Sequence, residues 1–454
     1  MKKKLQQGAL SFNGLGIAPR LLEILTELGY LTPTPIQVQS IPLSLERKDM
    51  VGVAQTGTGK TLAFGIPMLQ LLATYKGMGL VVLPTRELAL QVDEHLRVIG
   101  TKIGLRTAVL IGGEPINKQI RALKTKPHII IATPGRLMDH AERRLVNLSN
   151  VKVLVLDEAD MMLDMGFLPQ IKSILKLVPK ERQTMLFSAT MPSQVIKIAT
   201  DYMMLPTRIE VAPSGTSAEN VEQEMIVISK ENRFDQLIKM LTNSNGSVLI
   251  FMRTKHAVKA LTAKITKVGF SVAEIHSNRS LDQRKKALEG FKVGQYRILV
   301  ATDIAARGID VKEIELVVNY DLPEKSNDYV HRIGRTGRAG KGGKAVSFVM
   351  PDQIRSLREI EKLINKTLKV NKTVAELNDL SRLTADKGHN RKARTNSAKR
   401  WRGAQRPFNF NNNSGSIGAR TKRKIHNKNS SSGFTGRPKK TRSFNGDRKR
   451  GNRS

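Results

Sequence analysis

MVGVAQTGTGKT, residues 50–61, reads as a short apolar run, a glycine-bearing turn and the opening of a helix. Glycines in such a turn let backbone N–H groups approach and cradle phosphate oxygens. A lysine adds positive charge, and a Ser or Thr hydroxyl behind it can ligate Mg²⁺. Ala54, Gln55, Thr56, Gly57, Thr58, Gly59, Lys60 and Thr61 are therefore candidate nucleotide-binding residues, with Lys60 also a candidate for catalysis. Ala54 stands where such loops usually open with glycine; a small residue still permits the turn. The plain alternative is a glycine-rich strand-to-helix turn, and the flanking strand and helix patterns favour the phosphate reading.

The same pattern recurs outward along the chain. GLVVLPTREL, HIIIATPGR, VLVLDEAD and TMLFSAT are apolar runs ending in polar loops, and helical segments lie between them. One of these, PRLLEILTELG, puts Leu21, Leu22, Leu25 and Leu28 on one face, with Gly29 as the expected C-cap. Continuous apolar strands joined by helices argue for a parallel sheet covered on both faces. SVLIFMRT, SVAEIHS, RILVATDIAARG, LVVNYDLP and KAVSFVM repeat the plan in the second half. The expected organisation is an α/β domain over residues 1–211, a linker over 212–220, a second α/β domain over 221–370 and a disordered basic tail over 384–454. In open sheets of this kind ligands bind beyond the C-terminal strand ends, where all the quoted polar clusters fall.

Charge points the same way. The chain has 454 residues and a net charge of +37, and residues 382–454 alone carry 22 lysines and arginines against two acids, Asp386 and Asp447. An excess of this size implies a polyanionic partner, most simply nucleic acid. The chain has no cysteine, which excludes disulfides, thiolate-ligated zinc and thiol catalysis and fits a reducing cytoplasmic setting. No apolar run reaches the length of a membrane helix, and no signal core follows the first lysines. A phosphate loop needs a partner that holds metal and activates water at a neighbouring strand end. Asp157 fits the metal role, through water, and Glu158 the general base. Simple helix capping is the alternative for this acidic pair.

The segment D-E-A-D, residues 157–160, together with AQTGTGKT, resembles the DEAD-box ATP-dependent RNA helicases, and most closely their bacterial RhlE-like group. GYLTPTPIQ (29–37), PTRELA (84–89), Gly112-Gly113, TPGR (133–136), SAT (188–190), ATDIAARGID (301–310) and HRIGRTGR (331–338) follow in the family's order. The resemblance implies two tandem RecA-like domains, ATP and Mg²⁺ as cofactors, and single-stranded and short duplex RNA as partners. It implies a Q motif over residues 10–37, in which Gln37 reads the adenine edge and Phe12 and Tyr30 pack against the base; ordinary core packing is the alternative for both aromatics. Asp310 is expected at the ribose, and Arg335 and Arg338 as arginine fingers. Arg86, Gly113, Thr133, Arg136, Arg253 and Thr302 are expected on RNA. Asp160, Ser188, Thr190 and His331 are expected to couple the two activities, and Asp164 is read as a helix-surface bystander.

The chain departs from the family pattern at Leu281, where a glutamine is usual, while Arg284 is kept; this puts one interdomain or RNA contact in doubt. The implied activity is RNA-stimulated ATP hydrolysis with local, non-processive unwinding and RNA–protein remodelling, in ribosome assembly or RNA decay. A DNA helicase and a non-enzymatic RNA chaperone acting through the tail are the alternatives.

Overall fold

The computed structural model describes residues 11–55, 57–211, 221–306, 314–337 and 342–372. Thr56, Asp310, Arg338, the expected linker 212–220 and the expected tail 384–454 lie outside the described residues. Fourteen strands are described: β1 (Met50–Val53), β2 (Met78–Val82), β3 (Thr107–Leu110), β4 (Ile129–Ala132), β5 (Val151–Leu156), β6 (Gln183–Ser188), β7 (Thr207–Glu210), β8 (Val221–Val227), β9 (Val248–Met252), β10 (Val272–Ile275), β11 (Ile298–Thr302), β12 (Leu316–Asn319), β13 (Gly343–Val349) and β14 (Lys369–Lys372).

They form two seven-stranded sheets, ordered β3-β4-β2-β5-β6-β1-β7 and β10-β11-β9-β12-β13-β8-β14. All pairings within both sheets are parallel. Numbered from each lobe's first strand, the two orders are identical. The central strands are buried along their whole length, as in IIIA of β4 and VLIFM of β9. That follows from helices covering both faces, which remove any water-facing side.

Each sheet has an apolar cluster on either side. In the first lobe Phe64, Ile66, Leu69, Val81, Ile131 and Phe187 pack on one face, and Leu80, Val82, Ile130, Leu154 and Leu186 on the other. The helix Pro19–Glu27 buries Leu21, Ile24 and Leu25. It ends as its sequence predicts: Gly29 adopts φ 78°, its N–H donates to Thr26 O, and the Tyr30 N–H donates to Leu25 O.

Candidate functional site

β1 feeds the phosphate loop and β5 the acidic loop, and the β6 strand lies between them in the sheet. The loop turns on Gly57 (φ 87°) and Gly59 (φ 91°), left-handed positions that favour glycine. Thr58 Oγ1 donates to Gln55 O at 2.7 Å. Ala54 is buried, and its N–H donates to Ser188 O on β6. Gly59 caps the 15-residue helix Lys60–Thr74, so the first free N–H groups of that helix open onto the loop.

Lys60 is 5% exposed and lies 2.8 Å from Glu158 Oε1 and 3.9 Å from Asp157 Oδ1. Burial would lower its pKa, but the two carboxylates outweigh burial and raise it. Burial pushes Asp157 up to about 7, against the Lys60 charge and reinforced by Glu158. Burial would raise Glu158 too. There the charge and hydrogen bond of Lys60, then the charges of His331 and Arg335, win and hold it below the usual carboxylate range. Glu158 also carries a left-handed backbone, φ 52° and ψ 50°, unusual for a residue other than glycine, and strain of this kind concentrates at functional sites.

His331 and Arg335 belong to the second lobe, on and just after the helix Ser326–Ile333. Arg335 is buried, and its Nε donates to His331 O at 3.2 Å. One acid of the first lobe thus feels cations from both lobes.

The Q-motif residues sit beneath the phosphate loop. Gln37 is 3% exposed; its Oε1 accepts from Thr34 N at 2.9 Å and its Nε2 donates to Gly59 O at 3.0 Å. A Cβ on Gly59 would stand 2.5 Å from Gln37 Nε2, so this glycine makes room for the amide as well as for the turn. Phe12 is buried within the first-lobe apolar cluster, and Tyr30 packs against that cluster. Burial, with Glu94 nearby, raises the Tyr30 phenol.

Asp160 is the centre of a buried network. Its Oδ2 accepts from Thr190 N at 2.8 Å and Thr190 Oγ1 at 2.7 Å, and its own N–H donates to Ser188 Oγ at 3.1 Å. Ser188 Oγ in turn donates to Thr190 O at 2.7 Å. Asp164, expected to be a surface bystander, is not one: its Oδ1 takes Lys325 Nζ of the second lobe at 2.7 Å. No local pattern reveals this pair, because the partner lies 161 residues away.

A cleft of about 460 Å³ runs between the lobes on the other half of the sheets. Arg86, Thr133 and Arg136 line it, with Gly112, Glu87, Asp139, Met165 and Phe167; Ser277 and Arg284 come from the second lobe. Gly113, Arg253 and Thr302 are not among the lining residues, though Gly113 acts on one that is. It adopts φ 79°, and a Cβ there would collide with Arg86 Nη1. Burial and the nearby Arg284 charge lower the Arg86 guanidinium, so two arginines from different lobes converge on one cleft. Arg136 Nη1 donates to Glu114 O at 3.2 Å. Arg253 is exposed, its N–H donating to Asp321 Oδ2, and Thr302 ends β11.

Arg332 was missed by sequence reasoning. It is 1% exposed, with Nε and Nη2 on the two Asp303 oxygens at 2.5 and 2.7 Å and Nη1 on Asn319 Oδ1 and Asp321 O. This fork fixes the helix that carries His331 and leads into Arg335. Nothing local in H-R-I-G-R separates Arg332, held by its own lobe, from Arg335, which faces the acids of the other lobe.

Fold and site together define a two-lobed phosphate-loop nucleoside triphosphatase. The DEAD/DEAH box helicase model matches residues 34–198 and the helicase conserved C-terminal domain model residues 229–340. A Bacillus cereus protein named DEAD-box ATP-dependent RNA helicase CshA is 42% identical over 361 residues, 79% of this chain and 69% of the relative. The Bacillus subtilis protein named ATP-dependent RNA helicase DbpA is 45% identical over 357 residues, 78% of this chain and 74% of that one. Among solved structures, S. cerevisiae Dbp5 bound to RNA and ADP BeF3 superposes with a TM-score of 0.73 at 31% identity, covering 83% of this chain and 99% of that one. Mss116p bound to ssRNA and AMP-PNP gives a TM-score of 0.75 at 28% identity, over 82% and 81%. The chain belongs to the DEAD-box ATP-dependent RNA helicase family, whose members are ATP-hydrolysing enzymes. Among the described residues no helix is long and apolar enough to cross a membrane.

Proposed function

We propose that the chain hydrolyses ATP in response to single-stranded RNA and uses the cycle to separate short RNA duplexes locally, without processive travel, and to remodel RNA–protein complexes. The observation that carries this reading is the convergence of Lys60, Asp157 and Glu158 of one lobe with His331 and Arg335 of the other. In this reading Lys60 leaves Glu158 for the phosphates when ATP enters, and Glu158 orients and deprotonates the attacking water. Arg335 reaches the γ-phosphate, with Arg338 as its companion finger and Asp310 at the ribose. Gln37 keeps one amide hydrogen and one lone pair beyond its two protein bonds, which leaves it able to meet the adenine edge. Phe12 and Tyr30 support that pocket from the core.

Thr61 and Asp157 would hold a magnesium ion. Their oxygens suit a hard divalent cation, and the high proton affinity of Asp157 is that of a buried carboxylate short of positive charge. The ion would neutralise charge on the phosphates. Arg86, Thr133, Arg136, Arg253 and Thr302 would take the RNA backbone, with Gly113 seating Arg86; such contacts carry little sequence information. Asp160, Ser188, Thr190 and His331 would link RNA to the ATP site.

Domain limits at 1–211 and 221–370, the linker 212–220, a basic RNA-binding tail at 384–454, a cytoplasmic setting and membership of the RhlE-like group belong to the same reading. Dbp5 and Mss116p are each solved with RNA, which supports the partner class. Ribosomal precursors and the substrates of an RNA-decay complex are the RNA classes it offers; crosslinking to RNA in cells decides between them. The test of the reaction is ATP turnover with single-stranded RNA against single-stranded DNA of the same sequence. RNA is expected to stimulate far more strongly, and equal stimulation removes the RNA assignment.

A further inference from the structure

The helix Leu281–Lys292 faces two ways. Ala287, Leu288 and Phe291 belong to the second lobe's own apolar cluster. Leu281, at the first position of the helix, does not. It is 5% exposed and belongs to the first lobe's cluster, the one second-lobe residue there among the described residues. Its backbone is pinned by a capping box: Ser280 Oγ accepts from Gln283 N at 3.2 Å, and Ser280 N donates to Gln283 Oε1 at 3.0 Å. One turn on, Arg284 is buried and lies 2.8 Å from Glu87 of the first lobe; Lys285 lies 3.8 Å from Glu114. Positions i and i+3 share a helix face, so Leu281 and Arg284 dock together. Ser277 and Arg284, on either side of Leu281, form the second-lobe wall of the 460 Å³ cleft.

We propose that Leu281 is a positioning residue for RNA-stimulated turnover: by entering the first lobe's apolar cluster it seats Ser277 and Arg284 against the cleft, so that closure of this chain rests on an apolar anchor. The inference rests on the reading of that cleft as the RNA site. The physical ground is specific to the position. With the lobes apart, Leu281 at a helix start has none of its own lobe's cluster to cover it, so the closed state is what removes it from water. Fully burying a leucine shifts an equilibrium by roughly 10- to 100-fold. The surrounding ion pairs weaken with salt, whereas an apolar contact does not.

The experiment uses the full chain. Because it has no cysteine, dyes can be attached at Lys76→Cys and Lys259→Cys, exposed sites on different lobes. Lobe closure is read by energy transfer with a non-hydrolysable ATP analogue, and turnover by RNA titration, in the parent, Leu281→Ala and Leu281→Met. Leu281→Ala is expected to lower the closed fraction and raise half-saturating RNA about 10-fold, with maximal turnover within about 3-fold of the parent. Leu281→Met, similar in volume, is expected to restore both. Parental closure and half-saturation in Leu281→Ala would overturn the proposal. So would a loss of thermal stability and maximal turnover with half-saturation unchanged, which marks a merely structural leucine. If the parent itself shows no stimulation by RNA, the RNA reading fails, and the energy-transfer arm still decides the role of Leu281 in closure.

Discussion

In the first lobe β1 runs into a loop bent by Gly57 and Gly59, with Lys60 opening the next helix. In the second lobe the strand at the same place in the sheet, β8, runs through Ile228, Ser229, Lys230, Glu231 and Asn232 into the helix Arg233–Asn243, with no glycine in the turn. The corresponding acidic loop after β5 is matched after β12 by the segment leading to His331 and Arg335. On the other half of the sheets the lobes remain alike. Thr85 after β2 and Thr254 after β9 both cap a helix through the side chain, accepting from Leu88 N and Ala257 N. The two sheets thus share one plan but differ in the loops that follow matching strands. In the proposed reading, a lobe with the phosphate loop faces a lobe that brings the arginines, and catalysis needs the two to meet.

That division is open to attack at several points. Arg335→Ala is expected to leave ATP binding to the first lobe in place while cutting turnover by about 10³–10⁵-fold; nucleotide binding and single-turnover hydrolysis, measured side by side, check both halves of the statement. Glu158→Gln removes the proposed base and should slow hydrolysis by about 10²–10⁴-fold with ATP and RNA still bound, and near-normal turnover would remove Glu158 from that role. Arg332→Ala leaves the half-buried Asp303 carboxylate and the buried Asn319 amide without their partner, so chemical denaturation should show a loss of about 1–3 kcal/mol confined to the second lobe. The smallest effect is expected from Lys325→Ala, which breaks the pair with Asp164. That side chain is 55% exposed, so closure should weaken by less than about 1 kcal/mol, and the difference should vanish at high salt.

Much of this was legible in the sequence, for identifiable reasons. The ten apolar runs read as strands are all strands, because a strand buried on both faces cannot alternate and so stands out. The missed strands, β3, β7, β8 and β14, carry mixed patterns; TRIE of β7 and KVNK of β14 lie at sheet edges and read as loops. In the site, the phosphate loop and the acid pair were visible because their spacing is local. The interlobe contacts were not. Asp164 with Lys325, Glu87 with Arg284 and the docking of Leu281 join residues that no spacing rule connects. Arg332 was hidden for a related reason, since its partners Asp303 and Asn319 meet it only once β11 and β12 flank β9 in the sheet.

The central claim is that ATP and RNA favour one arrangement of the two lobes. Linkage then requires that each ligand raise the affinity of the other by the same factor, commonly about 5- to 150-fold. The direct measurement is the dissociation constant of a non-hydrolysable ATP analogue with and without saturating single-stranded RNA, and that of RNA with and without the analogue. The account predicts two equal factors in the parent and their collapse towards one in Arg335→Ala. Independent binding of the two ligands in the parent would contradict it.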